Sequence, residues 1–529
     1  MIRVRELSLP LQYSEQMLRE AVARRLGIRP EKITRLQLYK KAVDARRKND
    51  IRFRISVDVS VANEAEWLPT LHDPTVIRVS GDTYRPFRPP VPPARRPVVI
   101  GTGPAGLFAA LVLARAGARP LVLERGKAAD ERLADVTAFR ATGALDPSSH
   151  ALFGEGGAGT FSDGKLTSGI SDPRCRYVLE QFVQAGAPEE ILWQAKPHIG
   201  TDKLLPTVQG LRRAILDAGG EVRFSHTVTK LLCEGGRLYG IEVQTPDGNR
   251  QIEADALILA TGHSARDTLQ MLCRVGLKAE QKPFAVGVRI EHLRQEIDRA
   301  QYGRFAGHPL LGAADYKLHC VPEGLRGVYT FCMCPGGVVM ASASEPGGVA
   351  VNGMSTYARD AVNSNSALLV GIAPQDLPGS HPLAGITLQR QMEQAAFAAG
   401  GGGYKAPVQL VADFLQGVAS GAPGKVEPSY RPGYRCTDLT QILPPYVTAS
   451  LRAALPIFGR QLRGFDSPDA VLTGVETRSS SPVRFLRGPD GQSNIKGVYP
   501  CGEGAGYAGG ILSAAVDGVR CAEWLLQNQ

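Results

Sequence analysis

Alternating apolar and polar positions at the start of the chain predict a small α+β unit. IRVRELSL and IRFRISVDVSV alternate as strands with one buried face do, and ITRLQLYKKAV is a further strand-like segment. SEQMLREAVARRLG has helical spacing with Ser14 as its N-cap, and a short helix around NEAEWLPTL precedes a strand in TVIRVS. The order β-α-β-β-α-β predicts a ferredoxin-like module over residues 1–85.

Prolines mark the end of this module. YRPFRPPVPPARRP holds six prolines between Pro86 and Pro97, a density typical of a stiff and extended linker. We therefore assign residues 86–97 to a linker. The sequence then changes to VVIGTGPAGLFAALVLARAG, in which a short apolar strand precedes an amphipathic helix.

A dinucleotide-binding signature follows the linker. The strand Val98–Ile100 runs directly into the GxGxxG glycines Gly101, Gly103 and Gly106. These glycines allow a tight turn, a close approach to a pyrophosphate and close packing of helix on strand. A second strand, PLVLE, ends in Glu124, where a carboxylate accepts hydrogen bonds from a ribose and repels a 2′-phosphate. A dinucleotide other than NADP is therefore expected here.

Two later segments favour FAD over NAD. DALILATGHS is a strand that runs into Thr261 and Gly262, and GVYPCGEGAGYAGGILSAAVDGVRCAEWLL places a short strand before Gly502, Glu503 and a final helix. This arrangement resembles the glutathione-reductase-like superfamily of flavoproteins with two dinucleotide-binding folds. The resemblance implies that Glu503, where Asp is commoner, holds the ribityl or phosphate region of FAD. It also implies that the last helix directs its N-terminus at the flavin.

The stretch FGEGGAGTFSDGKLTSG, residues 153–169, is rich in glycine, which costs backbone entropy on folding unless bare backbone is needed. In the resembled superfamily, a glycine-rich loop at this place crosses the pyrophosphate and the flavin. We expect Ser162, Asp163 and Lys165 to face the reaction space. Lys165 would stabilise a developing anion or hold a substrate acid, and the alternative is an ion pair with Asp163 or Glu155.

Arginines in ETRSSSPVRFLR precede the last flavin segment, and guanidinium groups bind carboxylates or phosphates at two points. We assign Arg484 to the substrate and Arg478 to the cofactor, with a salt bridge from Arg478 to Glu476 as the alternative. The expected catalytic residues are thus Lys165, Asp163 and Arg484.

Long phrases of the chain look like those of a bacterial family of FAD-dependent dehydrogenases of unknown substrate, which carries a basic N-terminal module. They are YTFCMCPGGVVMASASEPGGVAVNGMS, ARDAVNSNSALLV, GVETRSSSPVRFLR and KKAVDARRKNDIRF. The resemblance implies an α/β protein with a Rossmann-like FAD-binding domain over residues 98–262 and 481–529, interrupted by an α+β substrate domain over residues 263–480. The residues expected to bind non-covalent FAD are Gly101, Gly103, Pro104, Ala105, Gly106, Glu124, Arg125, Gly156, Gly157, Ala158, Gly159, Thr160, Val228, Ala260, Thr261, Gly262, Gly502, Glu503, Gly510 and Ile511.

Several other features are weighed by their spacing. Residues 263–480 contain no second GxGxxG after a strand, so NAD(P)H is expected only as a transient electron donor. His150 lies just upstream of the glycine-rich loop, a position that resembles the covalent attachment point of succinate-dehydrogenase-like flavoproteins, and this resemblance makes it the alternative site for covalent flavin. Cys332 and Cys334 form a CxC pair whose side chains point to opposite faces of an extended strand, which favours buried structural cysteines over a redox pair. Cys501 lies beside the last flavin segment without a partner histidine, and no spacing suggests a metal site.

Charge and composition limit the remaining functions. The net charge is +10, and residues 1–54 hold fifteen Lys/Arg against six Asp/Glu. This basic module could contact an acidic protein or RNA, or it could simply be a solvated charged surface. Binding of RNA bases requires aromatic side chains for stacking, and the module offers mainly Tyr13, Tyr39 and Phe53. Without a signal peptide or an apolar run that could span a bilayer, a cytoplasmic protein is expected. The predicted function is hydride transfer between flavin and a small substrate; the alternatives are a tRNA-modifying type of flavoprotein and an FAD-containing binding protein without turnover.

Overall fold

The computed structural model describes residues 1–62, 73–80 and 84–528. Its α-helices are α1 (Glu15–Leu26), α2 (Pro104–Arg115), α3 (Ala129–Thr142), α4 (Arg174–Gln184), α5 (Thr201–Asp217), α6 (Arg266–Arg274), α7 (Arg294–Tyr302), α8 (Ala384–Ala399), α9 (Val411–Gln416), α10 (Pro445–Gln461) and α11 (Ile511–Gln527). The helix predicted over NEAEWLPTL lies outside the described residues. Among the residues described, no helix is both long and apolar enough to cross a membrane.

The strands of the first half are β1 (Ile2–Pro10), β2 (Ile33–Asp44), β3 (Arg52–Val61), β4 (Val76–Arg78), β5 (Val98–Ile100), β6 (Leu121–Leu123), β7 (Glu221–Arg223), β8 (Thr227–Glu234), β9 (Arg237–Thr245), β10 (Gly248–Glu253) and β11 (Leu257–Leu259). Those of the second half are β12 (Ala279–Gln281), β13 (Phe284–Leu293), β14 (His319–Cys320), β15 (Val328–Cys334), β16 (Val338–Ala341), β17 (Val351–Met354), β18 (Asn363–Ile372), β19 (Ala406–Leu410), β20 (Tyr434–Cys436), β21 (Val471–Glu476), β22 (Val483–Phe485) and β23 (Val498–Pro500).

The N-terminal strands form a four-stranded sheet in the order β2-β3-β1-β4, in which every neighbouring pair is antiparallel. Helix α1 begins after Ser14, whose side chain accepts a hydrogen bond from the Met17 N–H. Leu18 and Val22 of this helix are buried with the inward residues of β1 and β3. The alternation read from the sequence therefore corresponds to one buried face of this sheet.

A five-stranded parallel sheet has the order β23-β11-β5-β6-β7. Helix α2 connects β5 to β6, and its apolar residues are buried together with those of α11. Strands from distant parts of the chain thus lie side by side, and the carboxyl ends of β5, β6, β11 and β23 meet along one edge. Ligands of open parallel sheets bind at such an edge.

The middle of the chain forms a seven-stranded sheet in the order β14-β15-β18-β13-β21-β19-β20. Its longest pairing joins β13 to β18 without a break, from Phe284 opposite Ile372 to Leu293 opposite Asn363. The pairing of β15 with β18, in contrast, shifts register between Phe331 and Cys334. Such a bulge redirects the side chains next to it.

The N-terminal sheet is docked on the rest of the protein. Its buried residues belong to the same continuous apolar cluster as those of the seven-stranded sheet and α10. The backbone of Lys41 donates a hydrogen bond of 2.7 Å to the Trp193 carbonyl, and Arg304 donates one of 2.8 Å to the Asn49 carbonyl. These contacts attach the basic module to the rest of the protein, in addition to its covalent connection through the proline-rich segment.

Candidate cofactor-binding and active site

A cavity of about 330 Å³ opens at the carboxyl edge of the parallel sheet and extends to the seven-stranded sheet. This volume lies within the range of small-molecule sites. The predicted site residues that line it are Gly101, Gly103, Pro104, Ala105, Glu124, Arg125, Gly157, Ala158, Gly159, Asp163, Lys165, Val228, Ala260, Thr261, Gly262, Glu503, Gly510 and Ile511. Lining residues that the sequence did not single out include His226, His263, Phe331, Ser342 and Asn352.

The glycines after β5 make the first wall of the cavity. Gly101 has a φ of 98°, a conformation that favours glycine, and α2 begins at Pro104 with Gly103 as its N-cap. A Cβ atom on Gly106 would lie 1.9 Å from the Gly101 carbonyl oxygen, so only glycine lets the helix pack this closely. Gly106 therefore supports the turn without lining the cavity.

Glu124 connects the two glycine-rich segments. Its Oε2 accepts hydrogen bonds from the backbone N–H of Thr102 at 2.8 Å and from the Thr102 hydroxyl at 2.7 Å. Its Oε1 accepts from the backbone N–H groups of Gly126 at 2.9 Å and Gly154 at 3.1 Å. The predicted ribose acceptor thus lines the cavity, and both of its oxygens already hold the surrounding backbone.

Arg132 of α3 is fully buried inside the glycine-rich loop and was missed by the sequence analysis. Its guanidinium donates to the carbonyl oxygens of His150 at 2.9 Å, Glu155 at 2.6 Å and Gly157 at 2.8 Å. Burial lowers the pKa of Arg132 to about 10, while the nearby Glu124 and Glu155 act in the opposite direction. The loop folds around this cation, and its spacing in the sequence carries no signal of that role.

Lys165 and Asp163 lie at the polar end of the cavity. Asp163 is held by Arg359 through two hydrogen bonds of 2.6 and 3.0 Å and by the Ser355 hydroxyl. Burial would raise the pKa of Asp163, but Lys165 and Arg359 bring it below its usual value. Lys165 Nζ lies 3.9 Å from Asp163 Oδ2, and this buried nitrogen has no hydrogen-bond partner among the described residues. Its ammonium group can thus bind a ligand.

A second buried cation, Arg289 of β13, contacts residues that line the same end of the cavity. It donates a hydrogen bond of 3.0 Å to the carboxylate of Glu476 and one of 2.5 Å to the Cys332 carbonyl oxygen. Burial raises the pKa of Glu476 to about 8, although Arg289 and Lys165 oppose this shift. Glu476 and Cys332 both line the cavity. A carboxyl group that titrates near neutral pH is therefore present at the site.

His263 and Glu503 form a further pair in the lining. His263 Nε2 lies 3.6 Å from Glu503 Oε1. Burial lowers the pKa of His263 to about 3 and raises that of Glu503 to about 7, against the attraction of Lys282. His263 is therefore neutral at neutral pH, whereas Glu503 titrates in that range.

The structure places the two arginines in different surroundings, and it contradicts the alternative given for Arg478 and the cavity position expected for Arg484. Arg478 lines the cavity, but it pairs with Glu393 through hydrogen bonds of 2.9 and 3.0 Å and not with Glu476, whose partner is Arg289. Arg484, the predicted substrate arginine, is absent from the described lining of the cavity. Its side chain is 40% exposed and lies 3.6 Å from Glu280. The strand β22 directs Arg484 to this neighbour on β12.

Three other predicted cofactor residues also lie just behind the cavity wall. The Thr160 hydroxyl donates to the Glu155 carbonyl at 3.1 Å, and the Gly502 N–H donates to Asp517 at 2.8 Å. Gly156 has a φ of 82°, and a Cβ atom on it would lie 2.1 Å from the Thr160 hydroxyl oxygen. These residues shape the segments that face the cavity.

The expectation that Cys332 and Cys334 point to opposite faces is wrong. Cys332 has a φ of 42°, in the left-handed region, at the bulge of β15. The strand alternation is lost there, and the Cys334 thiol donates a hydrogen bond of 3.3 Å to the Cys332 carbonyl oxygen. Because only glycine favours a left-handed backbone, a cysteine at position 332 carries no signal of this conformation.

Comparison with known proteins identifies the family. Residues 283–479 match the family described as "FAD-dependent protein, C-terminal domain-like", and residues 95–285 match the pyridine nucleotide-disulphide oxidoreductases. Residues 1–60 match a domain of unknown function. An uncharacterized protein of Clostridium beijerinckii is 46% identical over 530 residues, which cover 100% of this chain and 99% of that protein. The chain belongs to a family of FAD-dependent oxidoreductases.

Several solved structures are similar to this FAD-dependent oxidoreductase at low identity. A triple mutant of a flavin-dependent brominase is 12% identical, with 82% of this chain and 79% of that chain covered and a TM-score of 0.37. E. coli quinol fumarate reductase is 11% identical, with 82% and 70% covered and a TM-score of 0.36. A geranylgeranyl bacteriochlorophyll reductase-like protein of Thermoplasma acidophilum is 12% identical, with 82% and 78% covered and a TM-score of 0.34. Likenesses this low say nothing about the reaction.

The cavity of the oxidoreductase fits its FAD cofactor. Two helices, α2 and α11, begin at the lining, and helix N-termini favour phosphate groups and other negative charge. A Cβ atom on Gly103 would meet only the Gly157 Cα, at 4.0 Å, so bare backbone faces the cavity there. His150, the alternative site for covalent attachment, is buried with its ring centroid 4.4 Å from that of Phe153 and lies outside the described lining.

Proposed function

We propose that this oxidoreductase transfers hydride between its flavin and a small anionic substrate that binds beside Lys165. The observation that carries the proposal is the buried Lys165 Nζ at the polar end of the cavity, without a hydrogen-bond partner in the described chain. A buried ammonium group without a hydrogen-bond partner costs free energy, which a carboxylate ligand offsets by a charge-assisted hydrogen bond. The ion pair of Lys165 with Asp163, at 3.9 Å, is beyond hydrogen-bond distance, and the Asp163 carboxylate is already held by Arg359 and Ser355.

The protein contributes binding and orientation, and FAD supplies two-electron chemistry when it is bound. The N-terminus of α2, at Gly103 and Pro104, holds the diphosphate, and the N-terminus of α11, at Gly510, stabilises negative charge on the flavin. Lys165 orients the substrate acid toward the same space. The parallel sheet and the loop that Arg132 stabilises would hold the flavin from two sides.

The proposed domain organisation follows from the sheets. Residues 98–262 and 481–529 together form the FAD-binding domain, since β23 from the C-terminal segment pairs with β11 in the parallel sheet. Residues 263–480 form the substrate domain around the seven-stranded sheet, and residues 86–97 are the linker. The strand order β2-β3-β1-β4 supports a ferredoxin-like N-terminal module over residues 1–85.

The basic module is proposed to meet an acidic protein in preference to RNA. The ring of Tyr39 is covered by the guanidinium of Arg3, 3.1 Å from its centroid. Tyr13 packs edge-on against Phe53, with ring centroids 6.0 Å apart. Base stacking needs free aromatic faces, and these three rings are already engaged. Retention of the whole protein on immobilised RNA, lost steeply with added salt, would contradict this preference.

An anaerobic titration of the FAD-loaded protein with NADH and with NADPH tests the central proposal. We expect one of them to bleach the oxidised-flavin absorption band as a transient donor. Bleaching by neither, although dithionite bleaches the band, would contradict nicotinamide as the donor. If neither an oxidisable substrate nor a reductase changes the flavin absorption band, the result would support an FAD-containing binding protein instead.

The role of Lys165 is tested with small carboxylates as probes. Acetate, succinate and glyoxylate are titrated against the oxidised protein while the flavin spectrum is followed. We expect a saturable spectral shift that Lys165→Met weakens at least tenfold and Lys165→Arg weakens less, because an ion pair is lost in the first variant only. The exposed Lys203→Met is the matched control. Equal affinities in Lys165→Met and the unsubstituted protein would overturn the assignment.

A further inference from the structure

Strand β15 breaks its regular geometry at one residue next to the cavity. Cys332 adopts a φ of 42°, and the pairing of β15 with β18 shifts register between Phe331 and Cys334. A residue other than glycine rarely adopts this conformation, and where it does the surrounding structure must hold it. Here Arg289 holds it, through a hydrogen bond of 2.5 Å to the Cys332 carbonyl oxygen.

The break brings the two cysteines together. The Cys334 thiol donates a hydrogen bond of 3.3 Å to the Cys332 carbonyl oxygen, so its sulfur lies against Cys332 and not on the opposite face of a regular strand. Cys334 is fully buried, whereas Cys332 is partly exposed and lines the cavity. One thiol of the pair is thus accessible from the cofactor cavity and the other is protected behind it.

The surroundings of Cys332 favour a reactive thiol. The Lys165 ammonium and the Arg289 guanidinium are among the charges that act on it, and reactive cysteines occur in such positively charged, partly exposed sites. The neighbouring Cys334 side chain lowers the pKa of Cys332, and the same pairing raises the pKa of Cys334. Glu476 faces the same space and titrates near neutral pH, so it can hold the proton that Cys332 releases.

We propose that Cys332 and Cys334 form a redox-active dithiol that exchanges two electrons with the flavin, an inference that rests on the proposed hydride-transfer function. Cys332 first gives its proton to Glu476. A disulfide bond then forms between the sulfurs as two electrons and the proton of Cys334 pass to oxidised FAD, which becomes anionic reduced flavin. In the reverse direction, reduced flavin returns the same electrons and proton, and the disulfide bond breaks.

A second cysteine pair provides a stringent control. Cys501 lines the cavity, and its sulfur lies within 4.8 Å of that of Cys521. Burial raises the pKa of Cys501 well above its usual value, and Cys521 is fully buried as well. Buried thiols of this kind are inert. The proposal therefore assigns electron exchange to the bulge pair and not to this one.

The test counts reducing equivalents. FAD-loaded protein is oxidised with diamide, freed of the reagent and titrated anaerobically with dithionite. We expect the unsubstituted protein to take up about twice as many electrons per flavin as Cys332→Ser or Cys334→Ser, because a disulfide accepts two electrons. Cys436→Ser and Cys521→Ser should behave like the unsubstituted protein. Equal uptake by the unsubstituted protein and Cys334→Ser, or loss of the extra uptake in Cys521→Ser, would overturn the proposal.

Thiol counting on the apoprotein gives a readout that is independent of the flavin. After the same oxidation, a thiol reagent in denaturant should find two fewer thiols than before in the unsubstituted protein, and no such loss in Cys334→Ser. An unchanged count in the unsubstituted protein would contradict the dithiol. If the thiol counts and the doubled uptake hold while neither nicotinamide donor nor substrate exchanges electrons with the flavin, the dithiol stands and the hydride-transfer function fails.

Discussion

Gly157 packs so closely against Gly103 that a Cβ atom on Gly157 would lie 2.9 Å from the Gly103 Cα. The contact joins the glycine-rich loop to the N-terminus of α2, two segments that are far apart in sequence. The relationship is not symmetrical, because a Cβ atom on Gly103 would meet Gly157 Cα only at 4.0 Å and would point into the cavity. The two glycines therefore serve different purposes.

Alanine substitutions should separate these purposes. Gly103→Ala is expected to leave the thermal unfolding of the apoprotein unchanged and to weaken FAD binding at least tenfold, because its methyl group occupies the cofactor's space. Gly157→Ala should weaken FAD binding and also destabilise the apoprotein by about 1–3 kcal/mol, because its φ of 61° is strained for alanine. Calorimetry and flavin fluorescence measure both effects. Gly169→Ala, with open space around it, is the control.

Arg132→Met should destabilise the loop before any cofactor is added. The substitution leaves the buried carbonyl groups of His150, Glu155 and Gly157 without their donor, at a cost of ~1–3 kcal/mol each. We expect the free energy of unfolding of the apoprotein to fall by several kcal/mol in urea denaturation. The exposed Arg213→Met should change it by less than about 0.5 kcal/mol. An Arg132→Met protein as stable as Arg213→Met would show that the loop does not depend on this cation.

Glu476→Gln should change how stability depends on pH. Folding raises the pKa of Glu476 from 4.5 to about 8, so the folded protein binds this proton more tightly than the unfolded chain. The resulting stabilisation is complete below pH 4.5 and is lost as the pH rises through about 8. Between pH 4.5 and about 8, the free energy of unfolding of the unsubstituted protein should therefore fall by up to ~1.4 kcal/mol per pH unit relative to that of Glu476→Gln.

Denaturant unfolding at several pH values checks this expectation for Glu476. The exposed Glu280→Gln should run parallel to the unsubstituted protein. If Glu476→Gln also ran parallel, the carboxyl group would not titrate in this window.

Glu393 should show the opposite pH dependence. Burial alone would raise its pKa, but Arg478 and Arg266 lower it from 4.5 to about 2. The stabilisation is therefore present above pH 4.5 and is lost as the pH falls through about 2. At neutral pH, Glu393→Gln should cost about 3 kcal/mol in the free energy of unfolding, a difference that shrinks as the pH falls toward 3. The exposed Glu296→Gln is the control, and a cost independent of pH would contradict the expectation.

Much of the nucleotide half could be predicted, because its signals are local. The strand Val98–Ile100, the glycine turn and the following helix lie within a short segment, and the structure has α2 at Pro104–Arg115. Ser14 caps α1 as its spacing predicts. Such features depend on residues that are close together in the sequence, so they can be predicted from the sequence alone.

The reactive end of the cavity could not be predicted, because its residues meet through distant strands. Arg289 on β13 lies opposite β21, which ends in Glu476, so their ion pair depends on the register of a long-range pairing. The bulge at Cys332 depends equally on its contact with Arg289. Arg484 fits the expected chemistry of a substrate residue, yet the pairing of β22 with β12 turns it toward Glu280.

The docking of the N-terminal sheet also has a consequence for how the protein is made. Its apolar residues share one cluster with residues of β13, β18 and α10, which leave the ribosome much later. At ~5–20 residues per second, the interval is on the order of tens of seconds. During that time the newly made module presents uncovered apolar surface, so its yield in the cell should depend on chaperones that shield nascent chains.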